Sequence, residues 1–204
     1  MTDSISQDMK LAASIEAIDA ANSQDPNTLV YKGEEWPKEL CHGRLATEWL
    51  LRLEPEAAPI QQLAARAHHI KRWEIPRDSY PKDRRGYLKW RTELARFHAT
   101  EAGAILEEVG YDSETVKQVQ SIIQKRNLKT DSRVQTHEDV LCLVFFSTQL
   151  DMVSQELELD KLIDVLAKTL NKMSQRGREQ AARLSFNNRE RRIFSRALTV
   201  SKSL

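Results

Sequence analysis

The chain has 204 residues, 40% of them hydrophobic, with only six Gly and six Pro. That supports a packed core and too few turns for anything but long elements. Its 31 basic and 30 acidic side chains nearly cancel, so attraction to phosphate must come from local blocks, and no run approaches the roughly 18–20 apolar residues of a membrane span.

In chain order, MTDSISQDMK lacks the charged-then-apolar pattern of a secretory signal, and a cytoplasmic protein without a membrane partner is expected. Helical periodicity runs over 7–22, with Met9, Leu11, Ala12, Ile15, Ile18 and Ala21 on one face. SQDPNT breaks it, and LVYKGEEW reads as a short hairpin or an extended arm. Pro37 sits where a helix can begin, and Leu40, Leu45, Trp49 and Leu53 give that helix a core stripe. The next helix is expected over 57–73, with Ile60, Leu63, Ala64, Ala67 and Ile70 inward. Pro76 and Pro81 keep 74–82 irregular.

A long helix follows over 83–109, with Gly110 as its stop. YDSETVKQVQSIIQKRN starts another, capped by Asp112 or Ser113. The most apolar helix covers 135–155, and helices over 158–172, 174–184 and 187–200 complete the set. Cys41 and Cys142 lie in apolar, helix-like surroundings and read as reduced thiols. The expected fold class is all-α, without a strand set, an internal repeat or a sustained heptad.

Charge is uneven along the chain. Net charge is −6 over 1–60, +6 over 61–100, −6 over 101–170 and +7 over 171–204. The first positive block adjoins LAARAHHIKRWEIPRDSYPKDRR, where His68 and His69 end a helix. His42 and His98 lie on other core-forming helices, and Glu138-Asp139 opens the apolar one. Helix bundles build metal sites from such inward-facing side chains. Imidazole with carboxylate suits one divalent transition metal, whether Mn, Fe, Ni or Zn.

The order of His42, His68-His69, His98 and Glu138-Asp139 resembles the HD-domain superfamily of metal-dependent phosphohydrolases. Those all-α proteins bind metal through a His, a His-Asp pair and a distant Asp. The resemblance implies an HD-like helical domain over 1–170, with basic helices over 171–204 packed on or extending it. It makes His42 the first ligand and Asp139 the last, with His98 an additional one; Glu138, beside Asp139, is a candidate general base where the helix start turns it inward. The family's pair is His-Asp; this chain has His68-His69, which implies a single-metal or degenerate site. Neighbours on a helix lie about 100° apart, so either histidine could face inward; the position beside Ile70 and the basic loop favours His69.

The whole chain is also similar to a narrower family catalogued as domain of unknown function 4202. The carrying stretches are IDAANSQDPNT, PKELCHGR, LAARAHHIKRWEIPRDSYPKDRRGYLKWRTEL, FHATEAG, EDVLCLVFF and KLIDVLAKTLNKMS. NKMSQRG resembles the Lys-Met-Ser loop of class I synthetases, but no Gly-rich partner motif accompanies it, and Ser174 reads as a helix cap.

In the basic loop, Arg77 and Arg91 are the expected phosphate contacts, with Lys71 as a point charge. Trp73 and Tyr80 could stack on a base. No Gly-rich phosphate loop, nucleophile elbow or paired-Cys motif is present. The expectation is a metal-dependent phosphohydrolase acting on a nucleotide or another phosphorylated small molecule. The alternative is a non-catalytic nucleotide- or RNA-binding module. A third reading uses Arg189, Arg191, Arg192 and Arg196 of the C-terminal helices to bind a nucleic acid or an acidic protein.

Overall fold

Apolar residues at three- and four-residue steps fold as helices throughout the chain, and a computed structural model describes residues 2–201. The protein is all-α apart from one hairpin, with ten α-helices among the described residues. It forms two compact units, Met1–Asn127 and Leu128–Leu204, so residues 171–204 belong to the second.

In the first unit, α1 (Thr2–Asn22) leads to a hairpin of β1 (Thr28–Tyr31) and β2 (Glu34–Pro37). The strands pair antiparallel, Thr28 opposite Pro37 and Tyr31 opposite Glu34. Lys32 and Gly33 both take positive φ, 53° and 85°, the backbone a two-residue hairpin turn needs to match strand twist.

Helix α2 (Lys38–Leu53) buries Leu40, Leu45, Trp49 and Leu53, as its pattern predicts. Helix α3 (Pro59–Ala67) has proline in its first turn and buries Leu63, Ala64, Ala65 and Ala67. Its small residues allow a close approach to α2. A Cβ added at Gly43 would lie 2.6 Å from the Arg66 carbonyl oxygen, so only glycine permits this spacing. The approach sets His42 on α2 beside the residues that follow α3.

Helix α3 stops six residues before the expected Trp73. Lys71 adopts the left-handed region, φ 49°, where the helix cannot continue. Its backbone N–H donates to Asn22 Oδ1 at 3.1 Å. Short 3-10 turns at Arg72–Glu74 and Arg77–Ser79 then carry the chain through its prolines. Helix α4 (Arg84–Val109) begins with Asp83, which accepts from the Gly86 N–H, and ends at Gly110 with φ 94°. Its buried stripe steps by four residues through Trp90, Leu94, His98, Ala102 and Leu106. Helix α5 (Ser113–Ile123) is capped by Asp112 and packs on α3 and α4.

In the second unit, the apolar segment is two helices, α6 (Ser132–Thr148) and α7 (Leu150–Glu156), divided at Gln149. Helices α8 (Leu159–Lys172), α9 (Gln175–Ala182) and α10 (Asn188–Ser201) follow. Ser174 caps α9 by accepting from the Gly177 N–H at 3.1 Å, as read from the sequence. Helices α8 and α10 pack together, burying Leu162, Leu166 and Leu170 on one and Ile193, Phe194 and Ala197 on the other. Burying a leucine or phenylalanine side chain is worth about 1.5–3 kcal/mol, so this seam is a principal support of the unit. Among the described residues no helix is long and apolar enough to cross a membrane.

Candidate metal centre

The first four N–H groups of a helix need outside acceptors. Pro37, which precedes α2, has no side chain to offer one. Asp25 supplies it across the hairpin. Its Oδ2 accepts from the Glu39 backbone N–H at 3.0 Å, while Oδ1 accepts from both nitrogens of Asn27 at 2.9 Å. Glu39 is thereby fixed in the first turn of α2, where the helix dipole favours a negative charge.

Three residues on, His42 lies on the same face as Glu39. The His42 Nδ1 sits 3.0 Å from Glu39 Oε2, and both side chains are buried. From beyond α3, His69 brings its Nδ1 to 3.2 Å from the same oxygen. Glu39, His42 and His69 each place one potential ligand atom within 4.8 Å of the others. Of the adjacent histidines, His69 is therefore the one that joins Glu39 and His42. His68 is outside that group of three; its Nδ1 donates to the Ala65 carbonyl at 2.9 Å, and its ring centroid lies 4.2 Å from that of His69.

His98 reaches the same region from the buried stripe of α4. Its ring centroid is 5.6 Å from that of His69, outside the group of three. Its Nδ1 faces the Ile70 carbonyl at 2.8 Å. A carbonyl only accepts, so this nitrogen carries the proton and Nε2 carries a lone pair. That Nε2 is buried and has no hydrogen-bond partner among the described residues. The His69 Nδ1 likewise meets Glu39 by proximity without an aligned hydrogen bond. Buried polar atoms are almost always satisfied, and histidines that bind metals commonly donate their other N–H to a backbone carbonyl.

Protonation suits cation binding. Burial lowers His68 to about 3 and His98 to about 4, and burial followed by His68 and Arg72 holds His69 well below its ordinary range. For Glu39 burial pushes upward, but the contacts from His69 and His42 outweigh it and hold the carboxyl well below its usual value. Neutral imidazoles and an ionised carboxylate are the forms that ligate. The residues fit a divalent transition metal: a carboxylate, two imidazoles close enough to share an ion, and a third imidazole with an unmet lone pair.

The buried histidines impose an acid limit on stability. Unfolded, His68 and His98 titrate near 6.5; folded, only near 3 and 4. The unfolded chain binds more protons between those values, so stability is full above pH 6.5 and is lost as pH falls toward 4 and then 3. At pH 5 the loss is about 2 kcal/mol per histidine. The urea midpoint of chelated protein should drop accordingly between pH 7.5 and pH 5. An unchanged midpoint would mean that these rings accept protons inside the fold.

Glu39 escaped the sequence reading. Its signal was the Glu39-x-x-His42 spacing, which sets a carboxylate and an imidazole on one helical face. Glu138 and Asp139 lie in the second unit, both buried on α6. Asp139 accepts from the Ser174 N–H at 2.8 Å, the Ser174 hydroxyl and Gln135 Nε2 at 3.1 Å.

Several cations and aromatics of the basic loop already hold it in shape. Lys71 Nζ bonds Glu101 at 2.7 Å. Arg77 donates to the carbonyls of Tyr80 and Pro81 at 2.9 and 2.8 Å, and the Tyr80 hydroxyl donates to Glu93. Trp73 is half-buried, and Arg91 is exposed on α4.

The sequence model of one family, described as Domain of unknown function (DUF4202), matches residues 12–194. No curated protein and no solved structure matches the chain. The match takes in the hairpin, Glu39, all four histidines of the first unit and the basic loop, and the chain belongs to the DUF4202 family.

Proposed function

We propose that the protein is a metal-dependent phosphohydrolase whose metal is held by Glu39, His42 and His69, with His98 beside them. The observation that carries this reading is the convergence of those three ligand atoms within 4.8 Å, two of them from buried side chains of α2 and the third from His69 just after α3. The unpartnered Nε2 of His98 supports it, as does the resemblance of the histidine order to HD-domain phosphohydrolases. A bound divalent ion supplies Lewis acidity toward a phosphoryl oxygen and lowers the pKa of a coordinated water. The chain's own contribution is positional. Asp25 fixes the start of α2, Asn22 fixes the turn after His69, and the Ile70 carbonyl sets the His98 tautomer.

The test is elemental analysis of the untagged protein, followed by phosphate release from phosphomonoesters and nucleotides with each of Mn, Fe, Ni and Zn. Turnover that needs the metal and stops with a chelator is the expected result. Metal-loaded protein that releases no phosphate from any of them would overturn hydrolysis. If it still bound nucleotides, the non-catalytic reading, motivated by His68-His69 in place of a His-Asp pair, would hold.

A further inference from the structure

We infer that Arg72, seated on Trp90 and assisted by Arg91, is the anion seat of this site, shaped for the dianionic end of a phosphomonoester. Arg72 follows His69 by three residues and opens the first 3-10 turn, its backbone N–H tied to the His69 carbonyl at 3.0 Å. Its guanidinium lies over the Trp90 ring at 5.0 Å. The indole is itself anchored, donating to the Ile75 carbonyl at 2.9 Å. Stacking of this kind preorganises the planar fork that recognises phosphate.

The fork has no hydrogen-bonded acceptor among the described residues and only a long ion pair to Glu39. Only 25% of the Arg72 side chain is exposed, yet it makes no hydrogen bond among the described residues. Its nearest acid is Glu39, with Nε 3.9 Å from Oε1, beyond hydrogen-bond reach. Lys71 and Arg77, the neighbouring cations, each have close partners. Arg91, one residue past Trp90, is exposed, pairs with no acid among the described residues and adds to the positive field on Arg72.

A cation on Glu39 sharpens this demand. The carboxylate's charge would then be spent on the ion, and Arg72 would face like charge instead of an acid. An anion that reaches both relieves the repulsion. Two guanidiniums and a divalent ion suit a phosphomonoester dianion better than a singly charged diester. The inference rests on the phosphohydrolase reading for the purpose of the seat, but the seat is measurable without it.

Inorganic phosphate is the probe. Its affinity is measured calorimetrically for the wild type, Arg72→Gln, Arg72→Lys and Arg91→Gln, each chelated and metal-loaded, with metal content and melting temperature recorded alongside. Arg72→Gln should weaken phosphate binding by at least about tenfold at unchanged metal content, and Arg91→Gln by less. Arg72→Lys keeps the charge without the fork and should fall between wild type and Arg72→Gln, which also settles the matter if Arg72→Gln fails to fold. Phosphate affinity unchanged by both Arg72 substitutions, or no phosphate binding by the wild type in either state, would overturn the seat. A wild type that retains no metal, yet binds phosphate through Arg72, would overturn the metal reading and leave the seat standing.

Discussion

Glu39→Gln is expected to lower the affinity for a divalent transition metal by at least about 100-fold while leaving the helical fold intact. Losing even a group that merely supports a ligand costs about 10- to 100-fold, and here a ligand itself is changed. Glutamine keeps the size and an acceptor oxygen but not the charge that faces His42, His69 and Arg72. The fold should survive because Asp25 holds the backbone N–H of residue 39, not its side chain. Some stability will still go in the chelated protein. The depressed pKa of Glu39 means that the fold favours the ionised form, and glutamine imitates the protonated one. The diagnostic quantity is therefore the rise in melting temperature on adding metal, which follows the ratio of metal concentration to Kd. The wild type should show it and Glu39→Gln should not. Equal metal retention by both would remove Glu39 from the site.

The fold was legible where its causes are local. Asp83, Asp112 and Ser174 cap the helices they precede, and Gly110 ends α4 at positive φ. The helix boundaries that differ have causes invisible to a local pattern. Helix α3 gives way after Ala67 to turns that end in left-handed Lys71, whose backbone N–H is held by Asn22, 49 residues away. The break at Gln149 has neither proline nor glycine to announce it.

The site divides in the same way. Of the candidate group, His42 and His69 were readable because imidazoles among apolar, helix-forming residues are chemically conspicuous. Glu39 was not, since an acid in the first turn of a helix is ordinary dipole chemistry. Lys71 and Arg77 looked free for phosphate because their partners, Glu101 and two loop carbonyls, are set by folding. Arg72 has no sequence mark that sets it apart from its basic neighbours, although folding leaves its fork without a hydrogen bond among the described residues.

Asp139→Ala is expected to cost about 3 kcal/mol, with or without metal. The carboxylate takes the Ser174 N–H, the Ser174 hydroxyl and the Gln135 amide. Ser174 in turn accepts from the Gly177 N–H, and Gln135 also donates to the Lys172 carbonyl at 2.9 Å. Gly177 leaves room for this arrangement, since a Cβ there would stand 2.5 Å from the Asp139 carboxyl carbon. Alanine at 139 would strand the donors in a buried place and loosen the junction between α8 and α9. Asparagine keeps the volume but turns one acceptor into a donor that opposes Ser174, so it should not rescue fully. Urea unfolding gives the energy, and faster hydrogen exchange over 175–182 gives its location. Burial raises the Asp139 pKa against the hydrogen bonds from Ser174, whereas at Glu39 the imidazoles win. Two buried acids thus carry opposite signatures. The one surrounded by neutral donors should govern stability under all conditions, and the one surrounded by histidines should govern the increment that metal adds. A metal-dependent loss in Asp139→Ala, or a metal-independent loss of about 3 kcal/mol in Glu39→Gln, would reverse that assignment.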